Sequence, residues 1–227
     1  MKDNGLTLKG AALHTKRADG KGMLIAPVDA RFPTGEIAVI TGSVGAGKSA
    51  LIHLMAGLFR PTEGEILADG KPVSRYTAPH LDRWRRSVGI VFQKLELLET
   101  RTVMENVMLP LVPRDMSRAE KQRATDAVLD ALGLISHRNS PVSTLSGGER
   151  QKTAVARALV GSPRYVLADE PSAHQDARGV NDIMSLFIQA AAQDAVVIIA
   201  THDPRITSHT HIARQYHLED GRIGATT

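Results

Sequence analysis

Cysteine is missing from the chain altogether, which removes disulfide frameworks from consideration and fits a protein kept in a reducing compartment. No stretch approaches the roughly 20 consecutive apolar residues of a membrane-spanning helix. The longest apolar run near the end, Ala195 to Ala200, has the length of a buried strand. The opening residues, Met1 to Gly10, mix charge and glycine without the apolar core of a secretion signal, so a cytosolic protein is expected. Low-complexity segments and internal repeats are absent as well. A basic run is also lacking: the formal charge is only +4 and the basic residues are dispersed, so no nucleic-acid partner is expected. Their densest cluster, Arg83, Arg85 and Arg86 around Trp84, reads as a solvated helix face. What remains is 227 residues, 42% of them hydrophobic, enough for one domain or a closely fused pair with a sizeable core.

The patterning divides the chain. From Leu6 to Val39 short apolar runs alternate with turn signals at Asp19-Gly20, Pro33 and Gly35, which predicts a small antiparallel sheet. Glu36 to Thr41 reads as a buried strand that breaks at Gly42, followed by a helical pattern through Leu51, Ile52, Leu54, Met55 and Leu58. Gly64 to Val73 reads as a hairpin turning at Asp69-Gly70, and Val88 to Phe92 as a strand stopping at Gln93. From Thr102 to about Val160 the style is helical. There Ala124, Ala127, Val128, Ala131 and Leu132 form one apolar face, with Gly133 in a stop position. Tyr165 to Ala168 and Val196 to Ala200, a helix-length apart, suit a parallel βαβ unit, and Asp220-Gly221 suits a terminal hairpin.

Three elements carry chemistry. Gly42-Ser43-Val44-Gly45-Ala46-Gly47-Lys48-Ser49 matches the phosphate-loop pattern GxxxxGK[ST], and it lies between a predicted strand and a predicted helix as that motif requires. Its glycines let successive N–H groups turn onto phosphate oxygens at a helix N-terminus. Lys48 reaches the outer phosphates, and Ser49 offers a hydroxyl to Mg²⁺. The run Tyr165 to Glu170 then delivers two carboxylates to a strand's C-terminal end. Asp169 is suited to the Mg²⁺ shell and Glu170 to polarising an attacking water. An acidic pair at a strand end is by itself more often a cap or a solvated turn; beside a phosphate loop the chemical role is favoured. Lastly Leu145-Ser146-Gly147-Gly148-Glu149 opens a helix. By itself it is an ordinary cap, but Ser146 and the N–H groups after it make a second anion site. One nucleotide does not easily touch both sites of one chain, which points to two chains sharing each nucleotide.

The phosphate loop, Gln93, the LSGGE run, the acid pair and His202 resemble, in order and spacing, the ABC ATPases, over nearly the whole chain. The resemblance implies an α/β cassette, residues 1–227, with a mixed core sheet, an N-terminal antiparallel β-subdomain and an inserted helical subdomain. Residues 1–92 and 161–227 would be the catalytic core and 93–160 the helical, signature-bearing part. It implies ATP and Mg²⁺ as ligands and a head-to-tail dimer enclosing each ATP between the phosphate loop of one copy and Ser146, Gly147 and Gly148 of the other. Gln93 would touch Mg²⁺ and the water, and His202 the terminal phosphate. Asp176 is retained in the segment after the acid pair. Within the family, Gly57 to Glu65, Gly89 to Gln93, Thr102 to Pro110 and Leu167 to Pro171 resemble the lipoprotein-release, macrolide-efflux and cell-division branch. That implies membrane permease partners with extracytoplasmic domains and a place on the inner face of the cell membrane.

Some positions depart from the family. Ser172-Ala173-His174-Gln175-Asp176 lacks the usual leucine before the aspartate, in a segment where the two sites communicate. No aromatic stands near His14 or Thr15 to stack an adenine. Lys152 replaces an arginine and its forked geometry. His209, His211 and His217 alternate as on one strand face, for which a surface strand is a better account than a metal site. Met104, Met108 and Met116 suit packing or an apolar docking groove. Two rival classes are a regulatory subunit controlling an extracytoplasmic enzyme through a membrane partner, and a soluble ABC protein acting on nucleic acid. Glu170 and His202 argue against a catalytically dead subunit. A single cassette of this length argues against the second rival, for which salt-sensitive nucleic-acid binding would be the sign.

Overall fold

The structure is a computed structural model that describes residues 4–17 and 20–225. Met1 to Asp3, Asp19 of the expected first turn and the side chain of Thr15 lie outside the described residues. In chain order the elements are β1 (Gly5–Arg17), β2 (Gly20–Pro33), β3 (Ile37–Thr41), α1 (Lys48–Met55), β4 (Glu63–Ala68), β5 (Lys71–Pro72), α2 (Ala78–Arg85), β6 (Val88–Val91), α3 (Val103–Met108), α4 (Arg118–Ala131), α5 (Gly147–Leu159), β7 (Tyr165–Asp169), α6 (Ala177–Ala192), β8 (Val196–Ala200), α7 (Pro204–Thr207), β9 (Ile212–Glu219) and β10 (Arg222–Ala225).

Two sheets organise them. An antiparallel sheet runs β2-β1-β4-β5, and a six-stranded sheet runs β10-β9-β3-β8-β7-β6. In the latter β9, β3, β8, β7 and β6 are parallel and β10 closes the edge as an antiparallel hairpin. The central strands β3, β7 and β8 are apolar along nearly their whole length because both faces are covered. Successive side chains point to opposite faces. Ala38 and Ile40 of β3, Leu167 of β7 and Ile198 of β8 therefore pack with α1, α2 and the antiparallel sheet, while Ile37, Val39, Val166 and Ile199 pack with the remaining helices. Phe187 of α6 is fully buried in that second core, a burial that contributes about 2–3 kcal/mol.

Residues 93–160 add no named strand to either sheet. Each of the helices α3, α4 and α5 starts in a reciprocal capping box, Thr102 with Glu105, Ser117 with Glu120, and Ser146 with Glu149. Such caps contribute about 1 kcal/mol each and satisfy N–H groups that the helix cannot.

Several expectations shift. The helix after the phosphate loop stops at Met55, because Gly57 at φ 66° turns the chain and leaves Leu58 exposed. The predicted apolar face of α4 is rotated. Ala127 and Ala131 are exposed, Ala124 and Val128 half-buried, and this side lines an open groove toward Leu186 and Ala190 of α6. The side turned inward is Thr125, Leu129 and Leu132. Thr125 can be buried because its hydroxyl donates to the Lys121 carbonyl at 2.8 Å, so its polar atom is satisfied within the helix. His209 and His211 precede β9 and do not alternate along it, so the shared strand face is lost; His217 alone is on the strand. Trp84 is buried against Tyr165, and Arg85 donates to the Gly57 carbonyl at 2.6 Å, so the arginine cluster is only in part a solvated face. Met108 and Met116 pack partly against the second core, and Met104 Sδ accepts from Arg138 at 3.0 Å.

Candidate functional site

The site lies along the C-terminal ends of β3, β6, β7 and β8, where side chains leave a parallel sheet and helices begin. The loop of residues 42–47 joins β3 to α1. Gly42, at φ 151°, passes the Leu218 carbonyl so closely that a Cβ would lie 2.2 Å from its oxygen, and Gly47 caps α1 at φ 105° against Ile25. Only glycine fits either position. Among the described residues no side chain caps α1, which leaves its first-turn N–H groups available to an anion. Ser43, Val44 and Gly45 are exposed and Ala46 buried. Lys48 is buried, and its ammonium donates to the Gly42 and Ser43 carbonyls at 2.7 and 3.0 Å, which lays its charge across the loop mouth.

Beside the loop, the Ser49 hydroxyl lies 3.4 Å from Gln93 Oε1. Asp169, at the end of β7, is only 2% exposed, and its Oδ2 has no hydrogen-bond partner among the described residues. Burial raises its carboxyl above the usual value, with the Ser49 hydroxyl drawing it back down. A buried carboxylate with an idle oxygen, a hydroxyl and an amide oxygen form an all-oxygen donor set that fits a hard divalent cation.

Glu170 follows at φ 49°, a left-handed backbone position uncommon outside glycine and one that points its side chain away from the strand axis. Thr201 Oγ1 donates to its Oε2 at 2.8 Å, and His202 Nδ1 lies 2.8 Å from its Oε1. The carboxylate is thus gripped at both oxygens by consecutive residues after β8. His202 itself is 71% exposed and so is open to a ligand.

The glycine run at the head of α5 is arranged differently. The Ser146 N–H and hydroxyl both donate to Glu149 Oε2 at 2.8 Å, and Gly147 is exposed. Asp176 caps α6 by accepting from the Gly179 N–H at 2.7 Å. Lys152 makes a single-point contact with Asp182 at 2.8 Å. His14 Nδ1 lies 3.7 Å from Glu63.

Motif reading missed three residues that hold this machinery. Thr201 is described above. Gln151, 2% exposed on α5, donates to the Glu170 carbonyl at 3.3 Å. Arg157, also on α5, donates to the Leu95 and Glu96 carbonyls at 2.6 Å each; burial lowers its pKa. The loop after Gln93 is therefore tied to the helix that the LSGGE run begins. Only the buried face of α5, which Gln151 and Arg157 interrupt among alanines and valine, hinted at them.

A phosphate loop, paired carboxylates at strand ends and a helix-opening glycine run on this two-sheet frame define a nucleotide-hydrolysing cassette. The family model for ABC transporters matches residues 25–173, and the chain belongs to that family, as an ATP-binding and ATP-hydrolysing subunit. It is 38% identical over 211 residues to the lipoprotein-releasing system ATP-binding protein LolD of Syntrophotalea carbinolica, covering 92% of this chain and 90% of that protein. Among solved structures, the dimeric bacterial ABC transporter cassette MJ0796 superposes with a TM-score of 0.90 at 30% identity, covering 96% of each chain. A dimeric post-hydrolysis state of the same cassette, bound to ADP and Pi, gives 0.89 at 30% identity over 98% of this chain and 99% of that one. Among the described residues no helix is long and apolar enough to cross a membrane.

Proposed function

We propose that two copies of this chain close head to tail around two ATP molecules, and that the cycle of closure and hydrolysis drives a separate membrane permease. The dimeric form of the similar cassette MJ0796 supports the pairing, and the likeness to LolD supports work in lipoprotein release or a related mechanical task. The permease would carry extracytoplasmic domains, and the cassette would sit on the inner face of the membrane. Residues 1–92 and 161–227 form the catalytic part and 93–160 the helical part. Leu98, Leu109 and Val112 around α3 are 46%, 40% and 64% exposed, and this apolar surface beside the loop after Gln93 suits the permease contact.

In the reaction, the N–H groups of residues 42–49 and the Lys48 ammonium hold the phosphates and stabilise charge on the transferred group. Ser49, Gln93 and Asp169 would hold Mg²⁺, which when bound offsets negative charge on the phosphate oxygens. Glu170 accepts a hydrogen bond from the attacking water and draws off its proton as the oxygen bonds to the terminal phosphorus. The bond from that phosphorus to the bridging oxygen breaks, leaving ADP and phosphate. Thr201 and His202 keep the Glu170 carboxylate in one orientation, and Gln93 aligns the water. Ser146, Gly147 and Gly148 of the second copy close the site, with Asp176 at the shared boundary.

The observation that carries this reading is the two-sided grip on Glu170, at 2.8 Å from each partner. The test is steady-state hydrolysis by wild type and Glu170→Gln, with mass recorded in ATP and Mg²⁺. The expected outcome is a loss of at least about 10²-fold in turnover and an ATP-bound dimer that persists. Turnover surviving the substitution would overturn the role of Glu170.

A further inference from the structure

Gln175 occupies a position that the catalytic reading does not use. Its side-chain amide donates to the Gly148 carbonyl at 2.8 Å, in the first turn of α5. The other end of the amide lies over the first turn of α6, where a Cβ on Gly179 would come within 2.2 Å of Gln175 Oε1. The side chain is therefore wedged between two helix N-termini, and Gly179 leaves room for it. Its backbone carbonyl accepts from Arg205 Nη1 at 2.9 Å. Arg205 is forked onto Asp203, with contacts at 2.9 and 2.6 Å. The Asp203 N–H donates to Thr201 Oγ1 at 3.1 Å, and that hydroxyl donates to Glu170 at 2.8 Å. Hydrogen bonds joined through the covalent frames of Gln175, Arg205 and Asp203 thus connect the head of α5 to the catalytic carboxylate within a single chain.

We infer that Gln175 is a positioning residue that ties the glycine run of α5 to the Thr201–Asp203 segment, so that the seating of this helix and the orientation of Glu170 are set together. The inference rests on the hydrolytic role proposed for Glu170. An amide is required at position 175 because the group it meets is a carbonyl, an acceptor only. A leucine fills similar space but leaves the Gly148 carbonyl without this donor, and a glutamate presents an acceptor to an acceptor.

The full-length protein tests this in two readouts, amide hydrogen exchange without nucleotide and steady-state hydrolysis. Gln175→Leu is expected to speed exchange in both segments 147–150 and 201–205, to lower kcat about tenfold, as loss of one or two hydrogen bonds implies, and to leave KM for ATP unchanged. Gln175→Glu is expected to lose more than Gln175→Leu. Combining Gln175→Leu with Arg205→Met is expected to be no slower than the worse single variant, as for residues in one network. Unchanged exchange at either end, an unchanged kcat, a wild-type rate for Gln175→Glu, or losses that multiply in the double variant would each overturn the inference. Turnover that persists in Glu170→Gln while both segments loosen in Gln175→Leu would instead identify the hydrolytic reading as the failure, and the link to kcat would fall with it.

Discussion

At the scale of single residues, Asp169 sets stability against the metal-holding role proposed for it. Its carboxylate is 2% exposed with an idle oxygen, and burial raises its pKa. Because the folded value lies above the unfolded one, ionisation at neutral pH works against the nucleotide-free fold. Asp169→Asn is therefore expected to raise the melting temperature of the nucleotide-free protein, while removing the extra stabilisation that Mg²⁺ adds to ATP. Calorimetry at neutral pH checks both, and a lowered melting temperature would count against a conflict at this position. The same buried carboxylate was legible in the sequence, because an apolar strand ending in two acids leaves few other destinations for them. Thr201 was not, since a threonine before a histidine is common at strand ends and its contact with Glu170 exists only once β7 and β8 are side by side.

Among the elements, α5 is the one on which the site depends most, since Gln151, Arg157 and the capping box all belong to it. It approaches β6 where Gly89 has no side chain: a Cβ there would lie 2.1 Å from the Ala158 carbonyl oxygen and 2.8 Å from Pro163. Gly89→Ala should force helix and strand apart, destabilising the protein by about 3 kcal/mol, visible as a lower urea midpoint with an unchanged slope. A midpoint within error of wild type would show that the helix can shift without cost. The central strands β3, β6, β7 and β8 could be read from sequence because burial on both faces leaves apolar runs, whereas β9, mostly exposed, has none. The orientation of α4 could not. Counting Thr125 as polar moves the predicted apolar stripe around the helix, and only the hydroxyl's bond to Lys121 shows that this threonine packs as an apolar residue.

For the whole molecule, the expectation concerns how copies complete each other. If each ATP is enclosed by the phosphate loop of one chain and the glycine run of the other, Lys48→Ala and Gly147→Asp should each abolish turnover as pure species. The aspartate has room, since a Cβ at Gly147 would sit 3.4 Å from His174, and its charge would face the phosphates. Mixing the two in equal amounts gives half mixed dimers, each with one intact site, so about a quarter of wild-type activity should return. No recovery on mixing would argue that each chain completes its own site. Two anion sites that one nucleotide cannot easily touch in one chain raised this expectation before any geometry, whereas the internal ties through Arg157 and Gln175 depended on segments that only the fold brings together.

The order of strands in the six-stranded sheet has a further consequence, for how the chain is born. Ile37 of β3 pairs with Val197 of β8 on one side and with Ile212 of β9 on the other. The strand that leads into the phosphate loop emerges from the ribosome well before β8 and β9 and waits for them. The antiparallel β1–β2 pair and the capped helices of 93–160 can take shape during that wait, but the loop itself gains a rigid base only once β8 and β9 have been made. Pairings so distant in sequence form slowly. The growing chain would therefore not hold nucleotide firmly until β8 and β9 had emerged.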